Sequence, residues 1–186
     1  MNLELQKIYH GFKVLRREEL EEVASTGYVL EHVRSGARLV YLANSDDNKV
    51  FTIGFRTPPA DDTGIAHIME HSTLCGSRKY RLKEPFVELV NGSLNTFLNA
   101  MTYPDLTAYP FASQVAKDFS NLLDVYLDAV FAPNLHPLDF AQEGHRLAPD
   151  GDGWERQGVV FNEMKGAMDG TAEQLGMAVA RTLLAD

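Results

Sequence analysis

The Pro58-Pro59 pair constrains this fold more than any other feature, because it divides the chain into two regions of different character. Proline has no N–H to give to a strand ladder, so a consecutive pair stops a sheet. Before the pair, residues 28–32, 38–43 and 50–56 form short runs rich in β-branched and aromatic side chains. Ser35-Gly36 and Asn44-Ser45-Asp46-Asp47-Asn48 separate them, and residues 38–42 and 49–55 read as a hairpin across the second of these turns. After the pair, helical patterns dominate. Asp61, Asp62 and Thr63 offer N-caps for a helix over 64–74, with Gly76 as its terminator. Residues 85–90 predict a short helix with Pro85 near its first turn. Residues 93–102 become extended, and 107–112 predict a strand in which Pro110 suits only an edge or a bulge. Val115, Phe119, Leu122, Leu123, Tyr126, Leu127 and Val130 recur at helical spacing and predict a helix over 115–131, followed by Pro133. Asp150-Gly151-Asp152-Gly153 marks a turn, and from Gly158 onward the chain reads as helix, broken near Asp169-Gly170. Strands and helices in this mixed order predict an α+β fold, a mixed sheet packed against helices, not a regular parallel α/β sheet.

The 186 residues, 45% hydrophobic and 23% charged, suffice for one domain with its own core. A formal net charge of −9 argues against non-specific nucleic-acid binding, which needs a basic face. No apolar run approaches the roughly 20 residues of a membrane span. The opening Met1-Asn2-Leu3-Glu4-Leu5 has neither the basic charge nor the apolar follow-on of a targeting peptide, so the expected compartment is cytoplasmic. The single Cys75 excludes an intramolecular disulfide and suits a reducing environment.

The chemistry lies in the helix after the prolines. His67 and His71 are four residues apart, so on a helix they stand about one turn apart on one face and can share a Zn²⁺ ion. Glu70 projects to the same side and is placed to take a proton from a water activated by the metal. The spacing is the zincin motif reversed, H-x-x-E-H. Ile65, Ala66, Ile68, Met69 and Leu74 give the helix a buried apolar face, where two unpartnered imidazoles and a carboxylate would be costly. A catalytic zinc takes three protein ligands and keeps one open position, so a third ligand must come from elsewhere. Glu163, an acid within the largely apolar Gly158-Val159-Val160-Phe161-Asn162-Glu163-Met164 run, is the leading candidate. His145, Glu143 and His136 are weaker ones, each near Pro or Gly punctuation and explicable without metal.

Gly64-Ile65-Ala66-His67-Ile68-Met69-Glu70-His71 and the following Leu74-Cys75-Gly76-Ser77-Arg78-Lys79-Tyr80 resemble the presequence protease and falcilysin branch of the pitrilysin/insulysin metallopeptidases. Lys83-Glu84-Pro85-Phe86-Val87-Glu88-Leu89, the stretch from Gly92 to Pro104 and the stretch from Gly158 to Gly166 carry the same resemblance in the same order. It implies a fold similar to the mitochondrial-processing-peptidase-like metallohydrolases. It implies one zinc held by His67, His71 and Glu163, with Glu70 as general base. It also implies that Asn99, Ala100 and Met101 lie on an edge strand that pairs with an extended peptide substrate. From the residues alone, Phe97, Leu98 and Met101 read as core. Complete members of the family are two-half, four-domain enzymes about five times longer, so residues 1–186 correspond to a single N-terminal catalytic domain. Such an enzyme's remaining domains, which supply a substrate-holding arginine and tyrosine, are then partners of this one. Several relatives carry an acid seven positions before the third ligand, where this chain has Arg156.

The resulting expectation is a zinc endopeptidase domain degrading unstructured peptides. Two rivals are weighed. An S-ribosylhomocysteine lyase-like enzyme shares the five-residue pattern but takes a distant cysteine as ligand, and Cys75 lies only four residues past His71. A non-catalytic peptidase-fold subunit would typically have lost a ligand or the glutamate, and this chain keeps all four residues.

Overall fold

The computed structural model describes residues 2–183, which fall into two compact units, one ending at Asp47 and the other beginning at Asn48. In the first unit, strands β1 (Ile8–Tyr9), β2 (Phe12–Leu20), β3 (Ser25–His32) and β4 (Arg38–Ala43) form an antiparallel sheet in that order. Its core is Leu3, Val14, Tyr28 and Leu30, with Tyr9, Phe12, Tyr41 and Ala43 packed around it. The long strand β2 has no counterpart in the sequence reading, since Arg16-Arg17-Glu18-Glu19 does not look like a strand. Period-two geometry makes it one. Arg16 pairs with Glu18 and Arg17 with Glu19, each at 2.6 Å, so the charges neutralise one another on opposite faces.

The second unit holds every candidate site residue. Strand β5 (Lys49–Arg56) is followed by helices α1 (Ile65–Thr73) and α2 (Pro85–Gly92), then by β6 (Asn95–Leu98), β7 (Met101–Thr102) and β8 (Leu106–Ser113). Next come α3 (Ala116–Phe131), α4 (Pro137–Glu143), the antiparallel hairpin β9 (Arg146–Asp150) and β10 (Gly153–Gln157), then α5 (Val159–Met168) and α6 (Thr171–Leu183). The α+β class holds. The hairpin anticipated across Asn44–Asn48 does not form, because β4 pairs with β3 and β5 pairs with β8 over its full length. The partner of β5 is distant in the chain, and adjacency in sequence gave the wrong one.

Strand β8 is central, with β5 on one side and β6 and β7 on the other. This corrects the expectation that Pro110 belongs at an edge or a bulge. The Asn99 N–H donates to the Pro110 carbonyl at 3.1 Å, but proline has no N–H to return the bond. The ladder breaks there, between β6 and β7. The freed carbonyl of Asn99 instead accepts the hydroxyl of Tyr126, at 3.2 Å. Tyr126 is fully buried with Tyr109, Phe111 and Leu122, and each such side chain contributes about 1.5–3 kcal/mol by leaving water. Phe51, Ile53, Leu74, Phe86, Leu89, Leu98 and Ala100 close around them, so sheet, α1, α2 and α3 share one core. Leu98 is core as expected, whereas Phe97 is 45% exposed and Met101 half-buried. Among the described residues no helix is long and apolar enough to cross a membrane.

A candidate metal centre

Helix α1 starts differently from the expected cap. Asp61 spends its carboxylate on the N–H of Thr63, 3.0 Å away, in a turn that ends too early to cap a helix. Gly64, at φ +73°, then swings the chain into α1 as the N-cap. The end of α1 is fixed by Gly76, whose φ of +119° and 2.7 Å clearance to the Leu82 carbonyl leave no room for a β-carbon. The buried face of α1 also departs from expectation. Ile65 and Met69 are 60% and 41% exposed and line an apolar cavity of about 380 Å³, while Glu70, Ser72 and Thr73 are buried with Ile68. The helix is set by what its polar side touches.

On that helix the His67 and His71 rings stand 5.0 Å apart. From α5, Glu163 reaches both. Its Oε2 lies 3.8 Å from His67 Nε2 and 3.7 Å from His71 Nε2, and the three potential ligand atoms all fall within 4.8 Å of one another. Tetrahedral ligands at about 2.0–2.1 Å from a shared ion stand about 3.3 Å apart, so each glutamate–histidine distance lies within roughly half an ångström of the spacing that zinc sets. Two imidazoles and a carboxylate match its preference, and the donor set fits the group. His145 and His136 stay outside this cluster. His136 instead caps α4, accepting from the Leu138 N–H at 3.2 Å, while Asp139 accepts from its main-chain N–H.

Glu143 has a role that the sequence did not disclose. Its Oε2 lies 3.1 Å from His71 Nδ1, and its Oε1 accepts from Gln142 at 2.9 Å. It is buried and faces the ring nitrogen on the far side from Glu163. A carboxylate there selects the tautomer with hydrogen on Nδ1, which leaves the Nε2 lone pair directed at the cluster. The position seven before Glu163 holds Arg156, whereas Glu143 reaches His71 from α4, twenty residues before Glu163 in the chain. Only tertiary packing could reveal it.

Glu70 is buried, and its Oε2 accepts the hydroxyl of Thr102 at 2.6 Å, which ties α1 to β7. Beneath it, burial pushes the Tyr109 phenol up, and the Glu70 charge adds to that shift while a bond to Thr73 opposes it. Burial likewise pushes the Cys75 thiol up to about 12, aided by Glu143, Asp139 and Glu84. That thiol points back to the His71 carbonyl at 3.4 Å and takes no part in the cluster. Asn99, Ala100 and Met101 lie at the outer side of β8, where Ala100 N–H is held by Asn99 Oδ1 at 3.0 Å.

Comparison with known proteins follows the same lines. Residues 49–149 match the insulinase family, peptidase family M16. Presequence protease 1 of Arabidopsis thaliana, chloroplastic/mitochondrial, is 50% identical over 93% of the chain and 16% of its own length. The mitochondrial presequence protease of Mus musculus is 46% identical over 95% of the chain and 18% of its length. Protein HypA of Clostridium perfringens is 52% identical over the whole chain and 20% of its length. The chain thus spans about a fifth of the length of the curated relatives it matches. The crystal structure of pitrilysin superposes with a TM-score of 0.60 over 70% of this chain and 14% of that one, at 18% identity, which is agreement in fold.

Proposed function

This chain belongs to the insulinase family, peptidase family M16, and on that premise we propose that it carries the active site of a zinc endopeptidase acting on unstructured peptides. The observation that carries the reading is the convergence of His67, His71 and Glu163 from two helices, with a buried glutamate on the helix that bears both histidines. In this reading His67 Nε2, His71 Nε2 and a Glu163 oxygen hold one Zn²⁺. Bound there, the ion supplies Lewis acidity to the scissile carbonyl and to the attacking water.

The rest of the chemistry belongs to side chains. Glu70 takes the proton of the attacking water and delivers it to the leaving amine nitrogen. Thr102 holds Glu70 Oε2, so that Oε1 is the oxygen offered to the water. Glu143 keeps His71 in the tautomer that presents Nε2. An extended peptide adds as a strand beside Asn99, Ala100 and Met101. The main-chain groups of Asn99 bond inward, to Pro110 and Tyr126. The Ala100 N–H, held only by Asn99 Oδ1, is the donor that a substrate carbonyl would take over. Residues 1–186 act as the first catalytic domain of a four-domain, two-half enzyme, whose other domains complete the substrate chamber. A lyase-type site would need Cys75 as a thiolate ligand, and Cys75 lies outside the cluster, bonded to the His71 carbonyl.

Metal analysis and a fluorogenic-peptide assay on the full-length protein test the reading. Glu70→Gln should retain its zinc equivalent and lose about 10²–10⁴-fold in turnover. Undiminished cleavage by that variant would remove Glu70 as the base, and a wild-type protein without affinity for zinc would remove the site.

A further inference from the structure

Helices α1, α4 and α5 each contribute to the cluster, and all three meet at a pair of glycines that touch no ligand. Gly144 closes the C-terminus of α4, one residue after Glu143, and Gly158 is the N-cap of α5, five residues before Glu163. Their backbones are in direct contact. A β-carbon on Gly158 would lie 2.0 Å from the Gly144 carbonyl oxygen, 2.7 Å from its carbonyl carbon and 2.8 Å from the His145 α-carbon. All three are main-chain atoms, so no side chain can rotate away. A β-carbon on Gly144 would meet the Phe140 carbonyl oxygen at 2.9 Å and Ile68 Cγ2 at 3.1 Å. Ile68 sits on α1 between the two histidines.

We infer that Gly158, seated on Gly144, is a positioning residue for the metal centre: their backbone contact sets how closely α5 approaches α1, and so where the Glu163 carboxylate stands relative to His67 and His71. The inference rests on the metal reading given above. Neither backbone is in a left-handed conformation, with φ of −76° at Gly144 and 171° at Gly158, so the requirement for glycine is steric and lies between helices. Ordinary contacts begin near 3.4 Å, so relieving a 2.0 Å approach moves one main chain by about 1.4 Å. Zinc bond lengths tolerate about 0.2 Å. A shift of the first turn of α5 is therefore several times what the Glu163–metal bond can absorb, although every ligand remains in the chain.

The test is a zinc dissociation constant, measured by chelator competition on the full-length protein, for Gly158→Ala, Glu163→Gln and the two combined. Gly158→Ala alone should weaken zinc about 10–100-fold. Added to Glu163→Gln it should change the constant by less than about twofold, because a residue that acts through Glu163 has nothing left to act on. Leu122→Ala, a core change in the same unit, should leave the constant unaltered and control for general destabilisation. An unchanged constant in Gly158→Ala overturns the inference, and so does an equal loss with and without Glu163. If Gly158→Ala does not fold, Val160→Ala, which loosens the buried first turn of α5 without touching α4, is scored against Glu163→Gln in the same way. Failure of the wild-type protein to bind zinc is a separate outcome, which overturns the metal reading and this inference with it.

Discussion

At the residue scale, the two histidines and Glu70 share one turn of α1, and the groups that orient them come from α4 and β7. His67, Glu70 and His71 lie within five residues, so helical periodicity alone brings them to one side of α1. Glu143 acts on His71 across 72 residues and Thr102 on Glu70 across 32, and no local pattern distinguishes either from an ordinary surface residue. Glu143 supplies the sharper prediction. Its buried carboxylate fixes the tautomer of His71, so Glu143→Gln replaces a charged acceptor by an amide that can present its NH₂ to the ring instead. Zinc affinity should fall about 10–100-fold, which chelator competition would read directly. An unchanged affinity would mean that His71 needs no partner to select its tautomer.

At the scale of elements, legibility follows periodicity and fails where partners are distant. Helices α1 and α3 lie within about two residues of their predicted bounds, because apolar spacing marks them. Strand β2 was hidden by charges that neutralise within the strand, and α4 by its brevity. The placement of Pro110 in a central strand could not be anticipated, since it depends on a tyrosine from α3 replacing the bond that proline cannot make. Tyr126→Phe removes that donor and leaves a carbonyl of the strand break without it, so the protein should lose about 1–2 kcal/mol in urea unfolding. A second clasp ties the loop after α1 to α3. Asp128 accepts the Lys79 N–H at 2.7 Å, and this bond holds its carboxyl below the usual 3.8. A depressed carboxylate stabilises the fold above its unfolded pKa, and the contribution fades as pH falls from about 4 through the folded value. Asp128→Asn should therefore be less stable at neutral pH and show a flatter loss of stability below pH 4, read from thermal midpoints across pH. A parallel loss in both proteins would show that the clasp does not titrate in the fold.

At the scale of the whole molecule, the second unit brings together the two helices that carry His67, His71 and Glu163. His67 and His71 on α1 and Glu163 on α5 are each held by their own helix, and the ion proposed between them would be a crosslink absent from the unfolded chain. The mixed order of strands and helices was legible in the sequence, and so were the candidate ligands, His67 and His71 by their spacing and Glu163 through the resemblance carried by the run around it. Their convergence was expected from the resemblance alone, since helices α2 to α4 and strands β6 to β10 lie between them. Mass action turns the convergence into a measurable quantity. A ligand that binds only the native state stabilises it by RT ln(1 + [L]/Kd), about 2.7 kcal/mol when free zinc is 100 times its dissociation constant. The thermal midpoint of the wild-type protein should rise with free zinc and fall back with a chelator. Glu163→Gln at the same free zinc should gain much less, because its weaker binding leaves [L]/Kd near or below one. The contrast separates a built site from histidines that bind metal equally well when unfolded, since those would give both proteins the same small shift or none. Equal stabilisation of wild type and Glu163→Gln would therefore break the link between α5 and the metal, and with it the argument that these helices pack to hold an ion.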